Sequence, residues 1–132
     1  MKYMIMLYGS QEDYDVLAGK SSSKPAMTPE EVEKMHAYMG SIHDDLIESD
    51  ELVGGQGLTA PVHARRVNLK DGAPVVTDGP YAETEEVLAG FTIVECDSYD
   101  RAVEIAARFI NPATEGEYVD IRPIAGGFDF DL

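Results

Sequence analysis

The sequence contains very little cysteine and no long apolar segment. Cys96 is its only cysteine, so the chain cannot form an internal disulfide, and a reducing cytoplasm is the expected compartment. No apolar run approaches the roughly 20 residues needed to span a bilayer, and residues 1–8 are too short for a signal segment with its cleavage site. We therefore expect a cytoplasmic protein with no membrane partner.

Basic residues are also scarce. Ten Lys and Arg stand against 25 Asp and Glu, which gives a formal net charge of −15. Phosphate binding needs a clustered basic surface, so this balance excludes a general nucleic-acid binder. The hydrophobic fraction of 44% is close to the globular average, and 132 residues suit one domain. The sequence therefore predicts a single domain over residues 1–132, with a loop insertion over 10–27 and a tail over 125–132.

The residue patterns predict two helices. Thr28-Pro29-Glu30-Glu31 supplies a capping hydroxyl, a proline at the first helical position and a glutamate at the third. Apolar residues then recur at steps of three and four, which predicts a helix over 28–49. A second helix is predicted over 99–110, with its buried face formed by Val103, Ala106 and Ile110.

The remaining apolar runs predict strands. They cover residues 3–8, 52–58, 62–69, 75–77, 87–96 and 118–122. The first is apolar on both faces and should be central, Asp71-Gly72 suits a hairpin turn, and Pro123 marks an edge or an exit. Two helices on one face of an antiparallel sheet give a ferredoxin-like α+β fold. The other face of that sheet needs a cover, which predicts a homodimer.

Residues 78–86, Asp-Gly-Pro-Tyr-Ala-Glu-Thr-Glu-Glu, resemble the DGPF motif of the YCII-related family, in which a phenylalanine replaces Tyr81. The similarity continues through residues 88–91, 106–108 and 119–124. The resemblance implies a ferredoxin-like fold paired as a dimeric α+β barrel, in a bacterial family sometimes encoded beside extracytoplasmic-function sigma factors. Most members have no assigned reaction. The YciI-like branch is associated with a His–Asp dyad, and one relative eliminates chloride from a chlorinated hydroxyquinol.

Three residues are candidates for acid–base chemistry. His36 and His43 both fall on the predicted core-facing stripe of helix 28–49, where an imidazole could act as a general base; a core or interface histidine is the alternative. The histidine of the YciI-like dyad would align near Met39, between the two, so that role does not transfer by position. Asp78 is the acid that the DGPF resemblance identifies directly, with a turn-forming role as its alternative.

Four residues are candidates for ligand binding. If the strand over 62–69 alternates, Arg65 or its neighbour Arg66 points inward, where a guanidinium suits a carboxylate or an enolate; a structural ion pair is the alternative. Tyr81 adds a hydroxyl, Glu83 could instead pair with one of the arginines, and Met39 could line an adaptable pocket or simply fill the core.

No metal or nucleotide cofactor is predicted. Glu33-x-x-His36 is half of a carboxylate-bridged site without a second copy, and no phosphate-binding or dinucleotide fingerprint occurs. Two hypotheses remain for the function. The first is a homodimer that handles a small organic molecule, with metal-free, lyase- or isomerase-like acid–base catalysis. The second is a non-catalytic ligand-binding or regulatory module linked to sigma-factor regulation.

Overall fold

The computed structural model describes residues 1–21, 23–79, 82, 85–112, 114 and 116–126. Within these residues the helices are α1 (Gln11–Leu17), α2 (Pro29–Glu48) and α3 (Tyr99–Ala107). The strands are β1 (Lys2–Gly9), β2 (Leu52–Gly57), β3 (Arg65–Lys70), β4 (Ala73–Asp78), β5 (Val87–Glu95) and β6 (Val119–Pro123), and a short 3-10 turn covers Pro61–His63. The chain is therefore α+β, as predicted.

Four of these strands form one antiparallel sheet. Their order is β2-β5-β1-β6, so β1 is central and β6 is an edge strand, as the sequence indicated. This order, with α2 between β1 and β2 and α3 between β5 and β6, is consistent with a ferredoxin-like fold. The β3–β4 hairpin forms a separate two-stranded sheet, inserted between β2 and β5.

Both long helices pack on the same face of the sheet. Alternate residues of the central strands meet apolar residues of α2 and α3 in one core. The members with the least solvent exposure are Ile5, Ile42, Leu46, Val94 and Ile105. Among the described residues, α2 and α3 leave the opposite face of the sheet without a helix from this core.

The opposite face is apolar in its centre. Met4 pairs with Ile93, and Met6 pairs with Phe91, and all four side chains are half-buried. On β6, which forms the sheet edge, Arg122 and Asp120 lie opposite the two methionines. We call the four central residues Met4, Met6, Phe91 and Ile93 the apolar strip.

The segment over 10–27 is not simply a loop, and that prediction is wrong for its first half. Helix α1 begins after Ser10, whose hydroxyl accepts from the Asp13 amide at 3.1 Å while the Asp13 carboxylate accepts from the Ser10 amide at 2.9 Å. This reciprocal capping box stabilises a helix too short to show apolar periodicity. Lys24 then forms an ion pair with Asp13 at 2.9 Å, which ties the following loop back to α1.

The predicted second helix is correct in position but wrong in its buried face. Val103 is half exposed, and α3 ends at Ala107, before Ile110. The Ser98 hydroxyl accepts from the Arg101 amide and sets where the helix begins. The side chains that reach the core from this region are Ala102, Ile105, Ala106 and Phe109, an i, i+3, i+4, i+7 series.

The strand predicted over 62–69 begins later, because Pro61–His63 forms a 3-10 turn. The hairpin turn at Asp71-Gly72 is confirmed, with φ of 52° and 81°. Both arginines of β3 are exposed, so the expectation that one points inward is also wrong. The segment predicted as a tail is described only as far as residue 126, and its residues 127–132 lie outside the described part.

Candidate functional site

A surface cavity of about 310 Å³ lies at the root of the β3–β4 hairpin. Its walls come from the turn before β3 and from the first residues of β5, and the lining residues are Leu58, Thr59, Ala60, Pro61, Ala64, Val87 and Leu88. The Gly79 amide donates to the Ala64 carbonyl at 2.9 Å. The cavity therefore lies between the two ends of the segment 78–86, the segment that resembles the DGPF motif.

Helix α1 holds one wall of this cavity in place. The Tyr14 hydroxyl donates to the Leu58 carbonyl at 2.8 Å and lies 3.3 Å from the Ala89 carbonyl. The Gln11 side-chain oxygen accepts from the Val62 amide at 2.9 Å. Burial raises the pKa of the Tyr14 hydroxyl, so it stays a neutral donor. The sequence pattern missed this helix; its Ser10-x-x-Asp13 capping box was the signal that could have revealed it.

Asp78 and Arg65 lie together at the root of the hairpin. They pair across β3 and β4, and the Arg65 Nε lies 3.8 Å from an Asp78 carboxylate oxygen. The Asp78 side chain is 94% exposed and that of Arg65 is 74% exposed. A pair this open to water contributes little to stability. Both charged side chains are thus exposed, and among the described residues that line the neighbouring cavity none is charged.

His43 lies in surroundings that differ from those of the exposed pair Asp78 and Arg65. Its Nε2 lies 3.4 Å from the Thr92 hydroxyl on β5, and its ring meets that of Phe109 edge-on with centroids 6.1 Å apart. Thr92 lies four residues beyond Leu88 along β5, a separation of about 13 Å in a strand. His43 is therefore half-buried on the helix-covered face of the sheet, as its position in α2 predicted, and away from the cavity.

The other two predicted residues of α2 are also separated from Asp78. His36 is exposed, so the prediction that it faces the core is wrong. Met39 is half-buried and packs against the core, the structural alternative for this residue. Helix α2 is most buried towards its C-terminal half, at Ile42 and Leu46. The structure thus places His36, His43 and Asp78 in three different surroundings, and their catalytic roles stay predictions.

One titratable side chain near the cavity was missed by the sequence analysis. His63 lies in the 3-10 turn between the lining residues Pro61 and Ala64, and it is exposed. The predicted ligand-binding residues Tyr81 and Glu83 belong to the same region of the chain, but they lie outside the described residues.

A second cavity, also about 310 Å³, lies between α1 and the start of α2. It is lined by Leu17, Ala18, Gly19, Met27, Pro29 and Val32. Its lining is almost wholly apolar and includes none of the residues predicted to act in catalysis or ligand binding. It therefore provides a matched reference for the cavity at the hairpin root.

Cys96, metal ligands and membrane-spanning helices are three further features that bear on function. Cys96 is buried, its thiol donates to the Ser98 carbonyl at 3.4 Å, and burial raises its pKa, which makes the thiol a poor nucleophile. Among the described residues, no group of three His, Cys, Asp or Glu side chains is arranged to hold a metal ion. In the same part of the chain, no helix has both the length and the apolar character needed to cross a membrane.

Comparison with known proteins agrees with the resemblance seen in the sequence. A family model described as the YCII-related domain matches residues 1–125. An uncharacterized protein of Rhizobium meliloti (strain 1021) is 29% identical over 127 residues, which cover 95% of this chain and 93% of that protein. Since the family match extends over nearly the whole sequence, the chain belongs to the YCII-related family.

Proposed function

We propose that this protein binds a small, neutral and largely apolar organic molecule in the cavity at the hairpin root. The observation that carries the proposal is the position of this cavity between the two ends of segment 78–86. Its volume of about 310 Å³ lies at the lower end of the range for small-molecule sites. Among the described residues, its lining is apolar apart from Thr59 and backbone atoms, which suits an aromatic ring with one polar substituent.

The charge of the protein supports a neutral ligand. A formal charge of −15 repels anions before they reach the surface. The nearest cation at the hairpin root, Arg65, already lies beside Asp78. A carboxylate ligand would therefore have to compete with Asp78 for the guanidinium, whereas a phenol would not.

We further propose that the protein is a homodimer in the cytoplasm, paired through the open face of its sheet as a dimeric α+β barrel. The apolar strip supports this, because a second copy would bury four apolar side chains that are only half-buried among the described residues of one chain. The strip lies in the middle of the sheet, and charged residues lie at the β6 edge. Protein–protein interfaces have the same arrangement, with an apolar centre and a polar rim.

The ligand proposal is tested by titration with para-fluorophenol, followed by ¹⁹F NMR line broadening. We expect Ala64→Val to weaken binding at least tenfold, because the added methyl groups fill the cavity at the hairpin root. Ala18→Val fills the second cavity and is the matched control, which should leave binding unchanged. An equal loss of para-fluorophenol affinity in both variants, or no binding to the wild-type protein, would overturn the proposal.

Charge selectivity is tested with para-fluorobenzoate, which has the same ring and an added negative charge. We expect it to bind more weakly than the phenol at low ionic strength, with the difference narrowing as salt screens the acidic surface. Tighter binding of the benzoate would show that Arg65 selects anions and would contradict the proposed neutral ligand.

Acid–base catalysis on the bound molecule is the second candidate function. It is favoured by the position of Asp78, which directly precedes Gly79 and so lies next to a residue bonded to the cavity lining. Its exposed carboxylate could accept a proton from a substrate in the cavity. If turnover of a phenol or keto acid is found, Asp78→Asn should abolish it while leaving para-fluorophenol binding intact, and unchanged turnover would exclude this role.

A further inference from the structure

The β3–β4 hairpin, residues 65–78, stands apart from the rest of the chain. Every residue of both strands is exposed, although β3 and β4 pair along their full length. A two-stranded hairpin is at best marginally stable in water without a surface to pack on. We call this hairpin the arm.

The two sides of the arm differ in chemistry. Residues paired directly across an antiparallel sheet share a side, so the register sorts the arm into two sides. One side carries Val67 opposite Val76 and Leu69 opposite Pro74, with the ion pair of Arg65 and Asp78 at its root, and Leu69 is 73% exposed. The other side carries Arg66, Asn68 and Lys70, opposite Thr77, Val75 and Ala73. The outer part of the arm is thus amphipathic, and its apolar side is open to solvent among the residues that the structure describes.

The charge of the arm is opposite to that of the rest of the chain. The arm holds three bases and two acids, a net charge of +1. The remaining residues hold seven bases and 23 acids, a net charge of −16. A basic hairpin is therefore drawn towards the body of another copy of this chain, while two bodies repel one another.

We infer that the arm of each protomer reaches across to a second copy and packs its apolar side against the partner, completing the apolar interior that the strip begins. Among the described residues, each chain has one exposed apolar side on its arm and one half-buried apolar strip, and a two-fold arrangement buries both at once. The occupant is a second copy because the chain supplies both the apolar match and the opposite charge. This inference rests on the proposed homodimer and assigns the arm a place in it.

The test uses two variants with the same charge change on opposite sides of the arm. Leu69→Asp alters the apolar side, and Asn68→Asp alters the polar side at the neighbouring position. Both side chains are exposed, so neither change should unfold the protomer, which far-UV circular dichroism checks. We expect sedimentation equilibrium to show that Leu69→Asp raises the dimer dissociation constant at least about tenfold, whereas Asn68→Asp leaves it within about twofold of the wild type.

A mixed sample of ¹³C-labelled and unlabelled chains shows where the arm lies. We expect filtered NOEs from the Leu69 methyl groups of labelled chains to protons of unlabelled chains. A wild-type protein that sediments at the 14.4 kDa mass of one chain would overturn both the homodimer and the arm inference. A wild-type dimer that tolerates Leu69→Asp, or NOEs from Leu69 confined to its own chain, would overturn the arm inference alone.

Discussion

The Tyr14 hydroxyl of α1 donates a 2.8 Å hydrogen bond to the carbonyl of Leu58, a residue that lines the cavity at the hairpin root. The bond joins residues 44 apart in sequence and attaches a seven-residue helix to the segment between β2 and β3. Because a helix of this length is marginal by itself, we infer that this attachment and the Gln11 bond to Val62 position both the helix and the cavity wall.

Removing the Tyr14 hydroxyl should affect the cavity as well as stability. Tyr14→Phe deletes one hydroxyl-to-carbonyl bond, and we expect it to lower the free energy of unfolding by about 1 kcal/mol. Para-fluorophenol binding should weaken too, because Leu58 then keeps only the bond from its own amide to the Ala89 carbonyl. Tyr38→Phe is the matched control, since the Tyr38 hydroxyl donates to the Arg108 carbonyl at 2.9 Å, in a bond that lies outside the cavity lining. Urea unfolding and ¹⁹F NMR titration of both variants measure the two effects.

Comparing Tyr14→Phe with Tyr38→Phe distinguishes an effect on the position of the cavity wall from an effect on the stability of the whole protein. If both variants lose a similar amount of stability but only Tyr14→Phe binds para-fluorophenol more weakly, the result would support the role of α1 in shaping the cavity. Equal binding losses in both variants would show that affinity follows overall stability, and the positioning role would then be wrong.

The close approach of β2 to β5 gives a second prediction. A Cβ atom at Gly55 would lie 2.6 Å from the Phe91 carbonyl oxygen and 3.2 Å from the Thr92 Cα, both on the backbone of β5. Gly55→Ala must therefore push the strands apart, and we expect it to cost about 1–3 kcal/mol of unfolding free energy. Thermal and urea unfolding measure this loss.

Gly54 provides the control for Gly55 on the same strand. A Cβ at Gly54 meets no atom within 4 Å, so Gly54→Ala should change stability by no more than about 0.5 kcal/mol. If Gly55→Ala is equally well tolerated, the steric explanation for glycine at this position fails.

The glycine-rich segment shows what the sequence could predict. Glycines in a strand indicated a bulge or a close backbone approach, and both occur, since the register shifts between Leu52 and Gly54 and Gly55 lies against β5. The caps and apolar spacing of α2 were equally informative, because a 20-residue helix averages over many positions. These features depend on residues that are close together in the sequence, so the sequence alone can predict them.

The burial of His36 could not be predicted in the same way. His36 and His43 lie within a few tens of degrees of one another around α2, yet His36 is exposed and His43 is half-buried. Burial along α2 increases towards Ile42 and Leu46, so it depends on which part of the helix lies over the sheet. The cavity escaped prediction for a related reason: its walls come from segments separated along the chain, which meet where the Leu58 amide donates to the Ala89 carbonyl of β5.

The ion pair at the start of α3 predicts a dependence of stability on pH. Arg101 donates to both carboxylate oxygens of Glu51, from Nε at 3.0 Å and from Nη2 at 2.8 Å. The Arg101 guanidinium lowers the pKa of Glu51 below its usual value. The stabilisation is therefore fully present above the unfolded-state pKa of Glu51, and it is lost as pH falls through the lower pKa of the folded state.

Glu51→Gln should reproduce this loss at neutral pH. We expect it to cost about 1 kcal/mol there, since Arg101 is partly exposed and water screens the pair. The difference from the wild type should shrink in acid, once Glu51 of the wild type is protonated. Glu104→Gln is the control, because Glu104 is largely exposed and receives a single 3.2 Å contact from the same guanidinium. Urea unfolding across pH measures both, and a difference that persists in acid would contradict the assignment.

The two histidines of α2 should respond very differently to substitution. His43 fills space between Phe109 and Thr92 and is in hydrogen-bonding range of the Thr92 hydroxyl, so His43→Ala should lower the free energy of unfolding by about 2 kcal/mol. His36 is exposed, and His36→Ala should change the free energy of unfolding by no more than about 0.5 kcal/mol. Neither change should alter para-fluorophenol affinity, because both side chains lie away from the cavity lining. Weaker binding in a folded His43→Ala protein would link His43 to the ligand and would support its predicted role as a general base.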